Sequence, residues 1–157
     1  MFPIRDRTGR PFFPDTWNLI NPFTGKRIDP AAVSSDEPVE VSDWELRNLA
    51  VKIVWDHLKS EGLERLSCCD APEIDPQIWF RDHNGRECWI EVLYSVYPVD
   101  TQGMTFSYKG WPEQVISHDG YTARVGFAGT GGDMSRLFRT QGAHVNFNGI
   151  EKIHTHA

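Results

Sequence analysis

QIWFRDHNGRECWIEVLYSVY, residues 77–97, is the stretch that decides the predicted fold of this chain. Both of its arms are rich in β-branched and aromatic residues, and Asn84-Gly85 lies between them. An Asn-Gly pair between two such arms is a strong local signal for a β-hairpin. We therefore expect two antiparallel strands here.

The loop of this hairpin can be two or three residues long, and its length sets the register. A two-residue loop would place the carboxylates of Asp82 and Glu87 opposite each other. A three-residue loop over residues 83–85 creates opposite-charge and aromatic cross-strand pairs, each worth about 0.2–1 kcal/mol, and we adopt it. The predicted pairs are Asp82 with Arg86, Arg81 with Glu87, Phe80 with Cys88, Trp79 with Trp89, and Ile78 with Ile90.

Alternation along the two strands then divides their side chains between two faces. One face is almost purely apolar and should lie on the core, with Ile78, Phe80, Cys88, Ile90, Val92, Tyr94 and Val96. The other face carries Asp75, Gln77, Trp79, Arg81, Glu87, Trp89, Glu91, Leu93 and Tyr97. We call its aromatic and charged part the tryptophan face: Trp79, Arg81, Glu87, Trp89, Glu91 and Tyr97.

A principal helix is predicted over residues 42–61. Ser42 and Glu45 have the spacing of a capping box, and Val41 and Leu46 that of a hydrophobic staple. Apolar residues recur at helical spacing along this segment, and Gly62 follows as a stop signal. We expect this helix to cross the apolar face of the hairpin.

The remaining segments predict an α+β protein with one twisted, mainly antiparallel sheet of about five strands and the helix on one face. Further strands are expected over residues 63–69, 104–108, 121–128, 136–139 and 143–147. Residues 1–41 are rich in turn residues but carry many large apolar groups. We expect them to form an extended arm that wraps a core of residues 42–157, within one domain of residues 1–157. The strand order is not predicted.

Composition restricts the classes of function. The net charge is −6, and the basic residues are scattered, so we expect no nucleic-acid partner. A protein partner is expected, and the acidic surface is compatible with one of basic character, although solubility alone is the favoured explanation of the charge. No segment has the length or apolarity of a membrane span, and the first residues lack a hydrophobic signal core, so a cytoplasmic location is expected. The three cysteines are expected to be reduced, and we expect no cofactor.

The tryptophan face is the candidate binding surface. Trp, Tyr and Arg dominate protein-binding hot spots, and the carboxylates of Glu87 and Glu91 would form an acidic rim. The favoured hypothesis is a non-enzymatic binding module, comparable by class alone with inhibitors and immunity proteins. This role requires the N-terminal arm to leave the face open. A covered face, on which the Phe and Trp residues of the arm pack to make a second core, is slightly favoured over an open one.

Two carboxylates suggest a different function. Asp75 precedes the first hairpin strand and Glu91 lies on the second, after an opening helix. This order over residues 42–97 resembles that of the metal-dependent PD-(D/E)XK nucleases, which carry Glu-x-Lys on the second strand. The resemblance implies a divalent cation between Asp75 and Glu91 and a phosphodiesterase activity. The lysine position holds Leu93, so that site is degenerate.

Histidines provide weaker candidates. His57 lies within the apolar arc of the helix, where a hydrogen-bonded core histidine is favoured over a catalytic base. His154 and His156 have the i, i+2 spacing that two metal ligands can share on a strand, but the sequence indicates no third ligand, and a surface tail is favoured.

Overall fold

The computed structural model describes residues 4–5, 11–12, 20–21, 23–28 and 37–153. The chain divides into two compact units, Met1–Glu37 and Pro38–Ala157. In the first unit, strand β1 (Ile4–Arg5) pairs antiparallel with β2 (Pro11–Phe12), and Ile20 and Arg27 form an isolated bridge. The wrapping of the core by residues 1–41 stays a prediction.

The second unit contains a five-stranded mixed sheet with the strand order β3-β4-β5-β6-β7. Neighbouring strands are antiparallel except for β5 and β6, which are parallel. The predicted α+β class with a mainly antiparallel sheet is therefore confirmed. The strands are β3 (Glu64–Cys68), β4 (Ile78–Arg81), β5 (Glu87–Val96), β6 (Asp119–Gly129) and β7 (Ala143–Lys152).

The hairpin of β4 and β5 has the predicted register. Trp79 pairs with Trp89 and Ile78 with Ile90. Gly85 has a φ of +75°, a left-handed conformation that glycine adopts without strain. The Asp82 carboxylate accepts hydrogen bonds from the backbone N–H groups of Asn84 and Arg86, at 2.8 and 2.9 Å, which fixes the three-residue loop.

The principal helix, α1, spans Asp43–Ser60. Ser42 is its N-cap and forms the predicted capping box with Glu45. At the other end, Gly62 has a φ of +71°, and the N–H groups of Gly62 and Leu63 donate to carbonyl groups of the last turn. The caps encoded in the sequence therefore set both ends of the helix.

The core lies between α1 and the apolar face of the sheet, as predicted. Of the hairpin residues predicted for this face, the five from Ile78 to Val92 are at most 3% exposed, and Tyr94 and Val96 are partly buried. Helix α1 covers them with small and branched side chains, so that a close-packed layer forms between the two elements. The main members of this layer are Leu46, Ala50, Val54, Leu58, Ile78, Phe80, Cys88, Ile90, Val92, Ala123 and Val125.

The connection from β5 to β6, residues 97–118, is the part of this unit that sequence patterns described least well. It contains a 3-10 helix (Thr101–Gly103) and the short helix α2 (Glu113–Ile116), whose N-cap is Pro112. Residues 104–108, all of them described, form no strand, so that prediction is wrong. Parallel neighbours require a connection that crosses the sheet, and this segment, which we call the crossover, provides it.

The last strands also differ from prediction. The segment 136–139 forms only an isolated bridge, between Phe138 and Glu40, instead of a strand. Residues 143–147 belong to β7, which continues to Lys152 as one strand. In the part of the chain that the structure describes, no helix combines the length and apolar character needed to cross a membrane.

Candidate functional site

The middle of the tryptophan face is covered by the crossover. The Trp89 side chain is fully buried, and its ring lies 5.0 Å from Trp111 and 6.3 Å from Phe106, measured between centroids. Glu91 is only 7% exposed. Trp89 and Glu91 are therefore not part of the open surface that the binding hypothesis requires. Because β5 and β6 are parallel, the segment that connects them crosses this face of the sheet and covers Trp89 and Glu91.

The other predicted binding residues do not form one patch with Trp89. Trp79 is half-buried and contacts the ring of His118 at 5.4 Å. Arg81 forms ion pairs with Glu64 at 2.9 Å and with Glu87 at 3.1 Å. Tyr97, at the end of β5, is 53% exposed and lines an open groove of about 330 Å³. Partner binding by Trp79, Arg81, Glu87 and Tyr97 stays a prediction.

Asp75 and Glu91 do come together, through Gln77. The Gln77 Nε2 donates to Asp75 Oδ1 at 2.8 Å and lies 3.3 Å from Glu91 Oε1. The Gln77 Oε1 accepts from the Val92 backbone N–H at 2.7 Å, which fixes the orientation of the amide. Because β4 begins only at Ile78, the Gln77 side chain supplies the hydrogen bond that a longer β4 would supply to β5.

Arg47 of α1 completes this group. Its Nη2 donates to Asp75 Oδ1 at 3.1 Å and to the Ile74 carbonyl at 2.9 Å. We call Arg47, Asp75, Gln77 and Glu91 the polar cluster. Sequence analysis identified the two carboxylates but missed the roles of Arg47 and Gln77. For Gln77 there was one signal, because strand alternation placed it on the same face as Glu91. For Arg47 the sequence contained no signal.

Burial controls the electrostatics of the polar cluster. Burial, and after it the Asp75 carboxylate, raise the pKa of the Glu91 carboxyl, Gln77 and Arg47 lower it, and the net value is about 7. Two atoms of the cluster, Glu91 Oε2 and Arg47 Nε, are buried without a hydrogen-bond partner among the residues described. Unpaired buried polar atoms are uncommon in folded proteins, so this cluster is unusual as a purely structural element.

Comparison with known proteins identifies the family. Residues 44–153 match the sequence profile of a protein family described as a domain of unknown function (DUF8840). The chain belongs to this DUF8840 family. A search of curated proteins and a search of solved structures gave no match. The DUF8840 region covers nearly all of α1 and the whole five-stranded sheet, and it includes every member of the polar cluster.

The polar cluster of this DUF8840 chain fits a divalent cation in part. Glu91 Oε2, a buried carboxylate oxygen with no described partner, is suited to such a ligand role. Mg²⁺ commonly binds proteins through one or two carboxylates and keeps several waters. Against this, Gln77 directs its N–H groups towards both carboxylates. Within the described ranges, no three His, Cys, Asp or Glu side chains are placed to hold a metal.

The other candidates lie apart from the polar cluster. His57 is half-buried and packs edge-on against Phe147, with the ring centroids 5.1 Å apart. Cys88 is buried in the core, as predicted, and Cys68, Cys69 and Cys88 are free thiols. The proposed pair of His154 and His156 lies outside the described residues.

Proposed function

We propose that this chain is a divalent-cation-dependent phosphodiesterase whose site is the polar cluster. The observation that supports this most directly is Glu91, a carboxylate that is 7% exposed and has an unpaired Oε2 beside Asp75. An unpaired buried carboxylate costs free energy unless it has a ligand or a proton. The resemblance of residues 42–97 to PD-(D/E)XK nucleases assigns these same two residues to cation binding.

The chemistry follows from the residues present. A divalent cation bound there would lower the pKa of a bound water and stabilise charge on a phosphate oxygen. Asp75 and Glu91 would hold it, and Gln77 would fix their separation. The water oxygen would form a bond to phosphorus, and the ester oxygen would leave as an alcohol. Because Leu93 offers no proton acceptor at the position of the nuclease lysine, solvent would take the proton of the water and supply the proton of the alcohol.

The charge of the chain restricts the substrate. A long nucleic acid requires an extended basic surface, whereas this chain carries a net charge of −6 with scattered basic residues. Asp75 opens the site to solvent, and the exposed Ile74 next to it offers an apolar contact. We therefore propose a small phosphodiester as the substrate class.

Titration with MgCl₂ and MnCl₂ tests this proposal, with calorimetry and the thermal unfolding midpoint as two independent readouts of binding. We expect one site in the native chain, lost in Asp75→Asn and in Glu91→Gln. Glu87→Gln, an exposed carboxylate on the same strand, is the matched control and should retain binding. Hydrolysis of bis(p-nitrophenyl) phosphate should follow the same pattern. Cation binding that persists in Asp75→Asn, or no binding by either readout, contradicts the proposal.

The second candidate function is the non-enzymatic binding module, with an inhibitor or immunity-type role. It is favoured by the exposure of Tyr97 (53%), Val99 (61%) and Val145 (48%), which line the same groove. The test is a quantitative pull-down from the cell extract of origin with Tyr97→Asp, and with the exposed Trp44→Asp as control. A partner lost only in Tyr97→Asp supports this function, and a partner retained by it contradicts the role of the groove.

A further inference from the structure

We propose that Arg47 is the anion-binding group of the polar cluster, and that it takes the phosphate of the substrate when a cation takes Asp75. This inference rests on the proposed function and adds a residue that the nuclease resemblance does not assign. It gives the cluster two linked sites, one for a cation and one for a phosphate.

The contacts of Arg47 leave it capable of a second interaction. Its side chain is only 16% exposed, so α1 and the loop before β4 hold it in place. One nitrogen, Nη2, donates both to Asp75 Oδ1 and to the Ile74 carbonyl, and the guanidinium also interacts with the Tyr94 hydroxyl. Nε is buried and has no partner in the described part of the chain. A guanidinium has five N–H donors in a planar fork suited to phosphate oxygens.

Arg47 also supplies the positive charge that position 93 lacks. Leu93 is buried and apolar. Of the lysines and arginines that the structure describes, Arg47 alone forms an ion pair with a carboxylate of the cluster. A phosphate at this site would meet Asp75 and Glu91, and also Asp43, whose carboxylate accepts the Tyr94 hydroxyl at 3.1 Å. One arginine does not offset three carboxylates, so phosphate should bind the native chain only weakly until a cation neutralises part of this negative charge.

Asp75 provides the link between the two sites. Its Oδ1 accepts a hydrogen bond from Arg47, and a cation at the same oxygen would compete with that hydrogen bond. The Ile74 carbonyl would still hold the guanidinium near the site. The cation therefore releases the donors of Arg47 for phosphate, and by thermodynamic linkage phosphate must raise the affinity for the cation by the same factor.

The experiment measures the affinity for inorganic phosphate by calorimetry, with and without saturating Mg²⁺. We expect the native chain to bind phosphate at least about tenfold more tightly with Mg²⁺, within the usual range of coupling between sites. Arg47→Met should lose that gain but retain the Mg²⁺-induced rise of the unfolding midpoint, and Arg47→Lys should retain part of it. Arg65→Met is the matched control, because Arg65 lies over the Trp55 ring, away from the cluster, and it should behave as the native chain.

Asp75→Asn separates this inference from the proposed function. It removes the anion that holds Arg47, so this variant should bind phosphate without Mg²⁺, and the double variant Arg47→Met/Asp75→Asn should not. Phosphate binding by Asp75→Asn but not by the double variant supports the role of Arg47, whether or not Mg²⁺ binds the native chain. A failure of Mg²⁺ to bind the native chain would contradict only the proposed phosphodiesterase function. Equal phosphate affinity of Arg47→Met and the native chain at saturating Mg²⁺ would overturn the inference, as would the absence of phosphate binding by Asp75→Asn.

Discussion

The indole ring of Trp89 lies directly against the α-carbon of Gly120, its partner in the parallel pairing of β5 with β6. A Cβ atom at position 120 would lie 2.8 Å from Cε2 of the indole and closer still to Cζ2 and Cη2. The ring occupies the space that any side chain at position 120 would need. The side of the sheet opposite α1 is therefore a second packed layer.

Gly120→Ala should destabilise the fold. Overpacking of this kind costs about 1–3 kcal/mol in the free energy of unfolding, and the rigid indole cannot move without disturbing Trp111. The measurement is urea unfolding. Gly126→Ala is the control on the same strand, because a Cβ there would be 3.6 Å from its nearest neighbour, an ordinary contact. Equal stability of the two variants would refute the packing argument.

Trp89→Ala should have a larger effect. Removal of a fully buried aromatic side chain costs about 3–5 kcal/mol, because a cavity remains. The control is Trp44→Ala on α1, where the side chain is more than half exposed, and its effect should stay below about 1 kcal/mol. If the two variants unfold at the same denaturant concentration, the crossover does not cover Trp89 in solution.

Glu91 should make stability depend on pH in an unusual direction. Its pKa rises from 4.5 to about 7 on folding, so the folded chain retains a proton that the unfolded chain has lost. The stability that this proton contributes is complete below pH 4.5 and is lost as the pH rises to about 7. The size of this effect is on the order of 3 kcal/mol.

The comparison of Glu91→Gln with the native chain isolates this effect. The variant cannot ionise, so its advantage in free energy of unfolding should grow from pH 5 to pH 8 and then stay constant. Glu87→Gln, with an exposed carboxylate, is the control. A difference between Glu91→Gln and the native chain that is independent of pH would show that Glu91 titrates normally.

Glu45 and Arg139 should be energetically coupled. Arg139 Nε lies 2.9 Å from Glu45 Oε1, and Arg139 Nη2 lies 3.1 Å from Oε2. Burial raises the pKa of Glu45, but the hydrogen bonds from Ser42 and the interaction with Arg139 outweigh burial and lower it. A double-mutant cycle of Glu45→Gln and Arg139→Met should give a coupling of about 0.5–3 kcal/mol at pH 7. The coupling should decrease as the pH falls below 4.5, the ordinary value of this carboxyl. Additive effects at pH 7 would contradict it.

The hairpin and α1 could be predicted because their determinants lie close together in the chain. Opposite charges and paired tryptophans fix the register of β4 and β5, and residues within one turn of Ser42 fix the start of α1. Such local signals do not depend on the rest of the fold. The carboxylates Asp75 and Glu91 could be predicted for the same reason, since both belong to the hairpin region.

The cover over Trp89 and the contact of Arg47 with Asp75 could not be predicted in this way. The crossover has no sustained apolar period, so its sequence does not show which side of the sheet it covers. Arg47 and Asp75 are 28 residues apart, and their contact depends on how α1 packs on the sheet. Tertiary packing determines both features.

The crossover connects β5 with β6 and also covers one face of the sheet. Its aromatic residues Phe106 and Trp111 close over Trp89 at the middle of the sheet. A protease cut or an inserted tag within residues 104–111 would therefore expose the face of β5 and β6 that the crossover covers. The same change in the exposed segment at residues 130–132 would leave that face covered.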